Sequence, residues 1–239
     1  IHLVPIIDAG VKIEEGYETY EEGVEKGYFC KEKDGSNFVG AVWPGRVHFP
    51  DFLNSNARKW FGHQYKILLD QGIEGFWNDM NEPASFKGPL PDNVEFKGKN
   101  GKIHYHDEVH NVYAHYMAIA TYQGLKEYDK RRPYIITRAA YSGTQKYSTV
   151  WTGDNHSIWA HLEMAIPIIL NLGLSGFAFS GCDVGGFSSD CTKELLARWV
   201  WLGSVTPLFR NHSAMGTRRQ EPWCYDEEMI DIYRKAVNF

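Results

Sequence analysis

Two short stretches place an acid where a strand should end. Gly75-Phe76-Trp77-Asn78-Asp79-Met80-Asn81-Glu82 runs from a buried apolar strand through a tryptophan to Asp79, with Glu82 just beyond, and Trp151-Thr152-Gly153-Asp154 repeats the tryptophan-then-aspartate pattern. A single aspartate at a strand end ordinarily serves the following turn, so either motif alone carries little. Together they suit cleavage of a glycosidic bond, which needs two carboxyl groups facing across it. One ionised group attacks the anomeric carbon and one protonated group gives its proton to the leaving oxygen. Trp77 supplies an apolar face on which a sugar ring can rest.

Strands must present these acids, and the chain alternates short apolar runs with helical patterns. His2 to Ile7 reads as a strand that stops at Asp8-Ala9-Gly10. A helix is predicted over Asn56 to Asp70, capped by Asn54 or Ser55 and ended by Gly72, with a strand over Ile73 to Trp77. The same rhythm predicts helix Val109–Tyr128, strand Tyr134–Thr137, strand Thr149–Thr152, helix Ser157–Leu172, strand Ser175–Ser180, helix Thr192–Gly203 and strand Thr206–Arg210. Such alternation with buried strands argues for a parallel sheet in an α/β protein. Nearly every strand ends at a group fit for chemistry: Asp8, Asp79, Arg138, Asp154, Asp183, His212. In a (β/α)8 TIM barrel the loops after the strands share one mouth, whereas an open doubly wound sheet binds at a switch point, usually with a Gly-rich phosphate loop. No GxGxxG follows any strand here, so the barrel is preferred. Six strands are predicted where closure takes eight, so the expectation is an excerpt of about six βα units, with the first two strands upstream of Ile1. The long connections Val11 to Leu53 and Pro83 to Asp107 read as lids or pocket walls. The whole chain, residues 1–239, is read as a single, partial catalytic domain.

Composition narrows the classes further. A net charge of −5, with acids and bases interspersed, offers neither a basic groove for nucleic acid nor a polybasic membrane anchor. No apolar run approaches a bilayer span; the longest, around Ala165 to Leu170, contains Pro167. The four cysteines show no CxxC spacing, which speaks against a structural zinc site and leaves the redox compartment open. His104, His106, His110 and His115 cluster, and His106-Asp107-Glu108-Val109-His110 spaces two histidines one helical turn apart. The metalloprotease pattern needs Glu directly after the first His, and here Asp107 stands there. The reading is no metal and no cofactor.

The segment GFWNDMNEP resembles the nucleophile signature of glycoside hydrolase family 31. Thr137 to Asn155, with Arg138 and then WTGDN, is similar to that family's acid/base region. FSGCDVGGF, FRNH, and VWPG followed by FPDF match further family blocks in order, so the resemblance runs through essentially the whole chain. It implies a retaining α-glucosidase that removes terminal α-linked glucose from malto- or isomalto-oligosaccharides. Asp79 corresponds to the nucleophile and Asp154 to the acid/base. The sugar pocket corresponds to Asp8, Trp43, Trp77, Met80, Arg138, Trp151, Asp183, Phe187 and His212, with Asp8, Arg138 and His212 binding hydroxyls and Glu82 supporting them from behind. Without the resemblance, Asp183 and Arg138 read equally as a structural ion pair and His212 as a core histidine. Two departures stand out. Ala9 follows Asp8 where the family usually has Pro, and Cys182 sits where Ala is usual.

Retention implies carboxyls roughly 5–5.5 Å apart. Alternatives within the family are a transglucosidase, a glucan lyase or an α-xylosidase, the last disfavoured by the Met80-Asn81 pair. A noncatalytic sugar-binding homologue is disfavoured by the presence of both aspartates. The β domains that flank the barrel in the family are not in the chain. Oligomeric state and compartment stay open.

Overall fold

The computed structural model describes residues 2–98 and 101–239, in two compact units divided after Ser148. In the first unit the elements are β1 (Ile6–Asp8), β2 (Val11–Lys12), α1 (Glu18–Glu25), β3 (Gly40–Val42), β4 (Gly45–His48), α2 (Ser55–Gln64), α3 (Lys66–Leu69), β5 (Gly75–Asp79), β6 (Glu95–Lys97), β7 (Ile103–Tyr105), α4 (His106–Tyr128) and β8 (Tyr134–Thr137). Strands β1, β5 and β8 lie side by side and parallel, with Ile6 opposite Trp77, Asp8 opposite Asp79, and Trp77 opposite Ile136. The long Val11–Leu53 connection is not structureless: β2, β4 and β3 form an antiparallel sheet in that order, and β6 pairs with β7 to fold the second connection.

The core of this unit is aromatic. Phe29, Phe49, Phe52, Phe76, Phe96 and Tyr113 are fully buried and pack largely edge to face. Part of the high aromatic content therefore belongs to the interior. Helix α2 is capped by the Asn54 side chain, which accepts from Asn56 N, and it crosses α4 with almost no side chain between them. A Cβ on Gly124 would lie 2.3 Å from Gly62 O, so only glycine allows that approach. The single predicted helix over 56–70 is broken at Tyr65, whose N–H reaches Gly62 O, three residues back, at 3.4 Å. The hydrophobic period runs straight through this tightened turn, which is why the sequence does not announce it.

The second unit contains β9 (Thr149–Trp151), α5 (Trp159–Leu174), β10 (Ser180–Gly181), β11 (Asp183–Val184), α6 (Lys193–Ser204), β12 (Arg210–Asn211) and α7 (Glu227–Asn238). Strand β9 runs parallel to β10, and β11 parallel to β12. Two expectations move. The strand expected over 175–180 begins only at Ser180, because Ser175 and Gly176 close the end of α5. The strand expected over 206–210 begins only at Arg210, because Thr206 turns back to Gly203 and Leu208 through its hydroxyl. Helix α7, absent from the predicted elements, starts at a genuine cap, with Asp226 accepting from Met229 N. It packs Met229 and Ala236 into a core built around Trp199, Leu195, Leu196 and Val184.

Candidate active site

Strand alternation decides which groups reach the strand mouth in the first unit. Trp77 and Asp79 lie on one face of β5, and Asn78 on the other. Asn78 is fully buried, and its amide engages Tyr65 Oη and Thr121 Oγ1, each at 3.0 Å, fastening the strand to the helical layer. Met80, just past the strand, adopts φ 53°, a left-handed conformation that turns the chain sharply after Asp79. Asn81 and Glu82 follow, and a cis bond joins Glu82 to Pro83.

Around Asp79 the first unit brings together Asp8, Met80, Glu82 and Arg138. Arg138, the residue after β8, forks onto Glu82 through Nε and Nη2, both at 2.8 Å, and its Nη2 also lies 3.2 Å from Met80 Sδ. Its Nη1 is 3.2 Å from Asp79 Oδ1, so one guanidinium joins two carboxylates. Arg138 holds the Glu82 carboxyl below its ordinary range, against the opposing pull of burial. Asp8, beside Asp79 at the end of β1, behaves oppositely. Burial first, and the negative charge of Asp79 second, push its carboxyl up to about 6, with Arg138 offsetting part of the effect. Trp77 is only 8% exposed, which leaves little of its ring to serve as a broad platform.

Trp43 stands elsewhere in the unit, on the β3–β4 turn, and is 74% exposed. It meets Phe86 edge to face at 4.9 Å, and Phe86 is itself anchored by its N–H to Ala41 O at 2.7 Å. Phe86 carries little sequence signal, only an aromatic residue inside an otherwise polar, glycine-bearing loop. The histidine cluster is occupied with packing. His104 meets Glu108, His106 stacks on Phe96, and His115 bonds Thr144. Among the described residues no group of three or more His, Cys, Asp or Glu is arranged to hold a metal ion.

In the second unit Asp154 is exposed on the loop after β9, behind Gly153 at φ 83°. That loop is tied down by Asn155, a residue to which the sequence alone assigns no role. Its amide donates to Asp183 O at 3.3 Å, and its carbonyl accepts from Phe187 N at 2.7 Å. Asp183 is fully buried and pairs with Arg210, whose guanidinium also covers the Trp151 ring at 5.1 Å. The expected alternative partner, Arg138, is engaged with Glu82 and Asp79 instead. Phe187 stacks on His212 at 5.1 Å and 24°, and burial together with Arg210 pushes the imidazole down to about 4, leaving it neutral at neutral pH. Gly185 and Gly186, both at positive φ, let the turn pass Gln220, whose Nε2 donates to Gly186 O at 2.7 Å. Cys182 has a role of its own: its sulfur accepts from Trp199 Nε1 at 3.1 Å.

Parallel strands, helical connections and a row of acids, an arginine and a histidine at the carboxyl ends of those strands define a protein of the (β/α)8-barrel class. The chain belongs to glycosyl hydrolases family 31, whose TIM-barrel domain profile matches residues 1–239. Over 239 residues it is 49% identical to Alpha-glucosidase 2 of Bacillus thermoamyloliquefaciens, covering 99% of this chain and 30% of that protein. Over 244 residues it is 40% identical to Neutral alpha-glucosidase C of Mus musculus, covering 98% of this chain and 27% of that one. The crystal structure of a glucosidase II alpha subunit with Glc1Man2 bound matches at a TM-score of 0.92 and 37% identity, covering 99% of this chain and 26% of that chain. The chain thus spans less than a third of each of these relatives.

Proposed function

We propose that the protein of which this domain is a part is a retaining, exo-acting α-glucosidase, and that residues 1–239 serve as its catalytic barrel domain. The observation that carries the reading is the setting of Asp79: a carboxylate at a strand end, joined to an arginine that Glu82 holds in a fork, with Asp8, its carboxyl raised to about 6, next to it. Arg138 favours the ionised form that a nucleophile needs, and Glu82 keeps the arginine from being captured by one partner.

In this reading Asp79 attacks the anomeric carbon of a terminal α-glucose, and Asp154 delivers its proton to the departing oxygen. A β-glucosyl ester on Asp79 results. Asp154, now ionised, takes a proton from water as the water oxygen attacks the same carbon, which frees Asp79 and releases α-glucose. The exposure of Asp154 on its loop suits a group that must exchange protons with leaving group and water in turn. Asp8, Arg138 and His212 bind hydroxyls. By correspondence with the family, Trp77, Met80, Trp151, Asp183 and Phe187 are assigned to sugar binding, as is Trp43, which meets Phe86 edge to face. The relatives named as α-glucosidases support glucose over xylose as the terminal unit.

The decisive experiment is covalent trapping. Incubation of the full-length protein with 5-fluoro-α-glucosyl fluoride, followed by peptide mapping, is expected to put the sugar on Asp79. Label on another carboxylate, or turnover without any accumulating ester, overturns the assignment.

A further inference from the structure

We infer that Asn81, which is buried, is a positioning residue that grips the residues on both sides of Arg138, through the Thr137 hydroxyl and the Ala139 N–H, and so sets the arginine against Asp79. This rests on the reading of Asp79 as the nucleophile. Asn81 is completely buried. Its Nδ2 donates to Thr137 Oγ1 at 2.9 Å, and its Oδ1 accepts from Ala139 N at 3.1 Å. These are the two residues flanking Arg138. Thr137 closes the ring by donating its hydroxyl to Ala139 O at 2.8 Å, while Arg138 N donates to Asn78 O at 3.1 Å. Residues 137–139 are therefore held by four hydrogen bonds, two of them from the Asn81 side chain; three reach backbone atoms and the fourth the Thr137 hydroxyl.

An asparagine that merely completed its own turn would bond within residues 78–84. This one spends both ends of its amide on the last residue of the neighbouring strand and on the turn just after it, across a sequence gap of more than fifty residues. Because Arg138 leaves the chain between the two anchored residues, a shift of that backbone is passed directly to the guanidinium. The distances involved leave little slack: 3.2 Å to Asp79 and 2.8 Å for each bond to Glu82. The other ionisable groups acting here are Asp8 at the end of β1 and His110 on α4, which acts on Glu82.

The test uses the full-length protein with Asn81→Ala, Thr137→Val and Thr137→Ser. Asn81→Ala and Thr137→Val are expected to move the acid limb of kcat/KM on an aryl α-glucoside up by about one pH unit, because a cation displaced from a carboxylate no longer favours its ionised form. Turnover should fall roughly tenfold or more with little change in KM, as for a lost transition-state interaction. Thr137→Ser keeps the hydroxyl and should behave as wild type. The double variant should be no worse than the worse single one, since both break the same ring. Lower thermal stability with an unmoved acid limb, or additive losses in the double variant, overturns the clamp. If the wild-type protein turns over no α-glucoside, the α-glucosidase reading fails on its own. The clamp is then read from a 13C-carboxyl NMR titration of Asp79, where an unchanged midpoint in Asn81→Ala overturns it.

Discussion

At the scale of residues, the roles proposed for Asp79 and Asp154 are unequal, and their replacements should differ in kind. Asp79→Asn is expected to lose nearly all turnover on natural and activated α-glucosides alike, because no other group can form the ester. Asp154→Asn should lose on the order of 10²–10⁴-fold on maltose but much less on substrates whose leaving group needs no proton. Steady-state kinetics on a leaving-group series separates the two; equal losses throughout would contradict the division. Asp8 gives a prediction in stability. Its carboxyl is raised from 3.8 to about 6, so the folded protein binds the proton more tightly than the unfolded chain, and stability falls as pH rises through that window. Asp8→Asn should therefore melt higher than wild type above pH 6 and show no such gain near pH 4, as thermal scans across pH would record. The acids, Arg138 and Trp43 were legible because each sits in a short, distinctive sequence block. Asn155, Gln220 and Phe86 were not. The first two act through amide bonds to backbone, which any buried Asn or Gln can make, and Phe86 matters only through the loop that carries it.

Elements are set by constraints that periodicity registers unevenly. Strands β1, β5 and β8 were found because three or more apolar residues precede each polar end. Strands β10 and β12 each have two residues, and apolar runs before them occupy turns. A short apolar run does not reveal where its ladder begins. Helix α7 carried the signals that matter, an Asp226 cap with Glu227 and Glu228 in its first turn, and shows that caps deserve weight equal to periodicity. The α2–α4 crossing was invisible, since a glycine in a helical run reads as a weakness. Its test is Gly124→Ala. Helix propensity alone would favour alanine by about 1 kcal/mol. The added carbon would instead meet Gly62 O at 2.3 Å, a backbone atom that cannot swing aside. Overpacking should win, with a net loss of roughly 2 kcal/mol in urea unfolding. A variant as stable as wild type would show that the helices can separate freely.

At the scale of the whole molecule, charge shapes which ligands are drawn in and how. The net charge of −5 is spread among bases, and a neutral oligosaccharide feels no long-range steering from it. Raising salt from about 0.05 to 0.5 M should leave kcat/KM on maltose within about twofold, whereas an ionic substrate would show a steep slope. The βα class was readable from the order of elements alone, because alternation survives errors of several residues at each boundary. What the order does not contain is register. Asp8 and Asp79 are direct partners across β1 and β5, which places two carboxyls on adjacent strands and helps burial push Asp8 up to about 6, so that it is partly protonated near that pH. A sugar analogue bearing a basic ring nitrogen would meet this couple as a proton reservoir. Its positive charge would expel the proton held on Asp8, so binding near pH 6 should release acid to the buffer and tighten as the medium becomes more alkaline, until the amine itself discharges. Calorimetry in buffers of different ionisation heat would count that proton, and a neutral sugar of the same shape should release none.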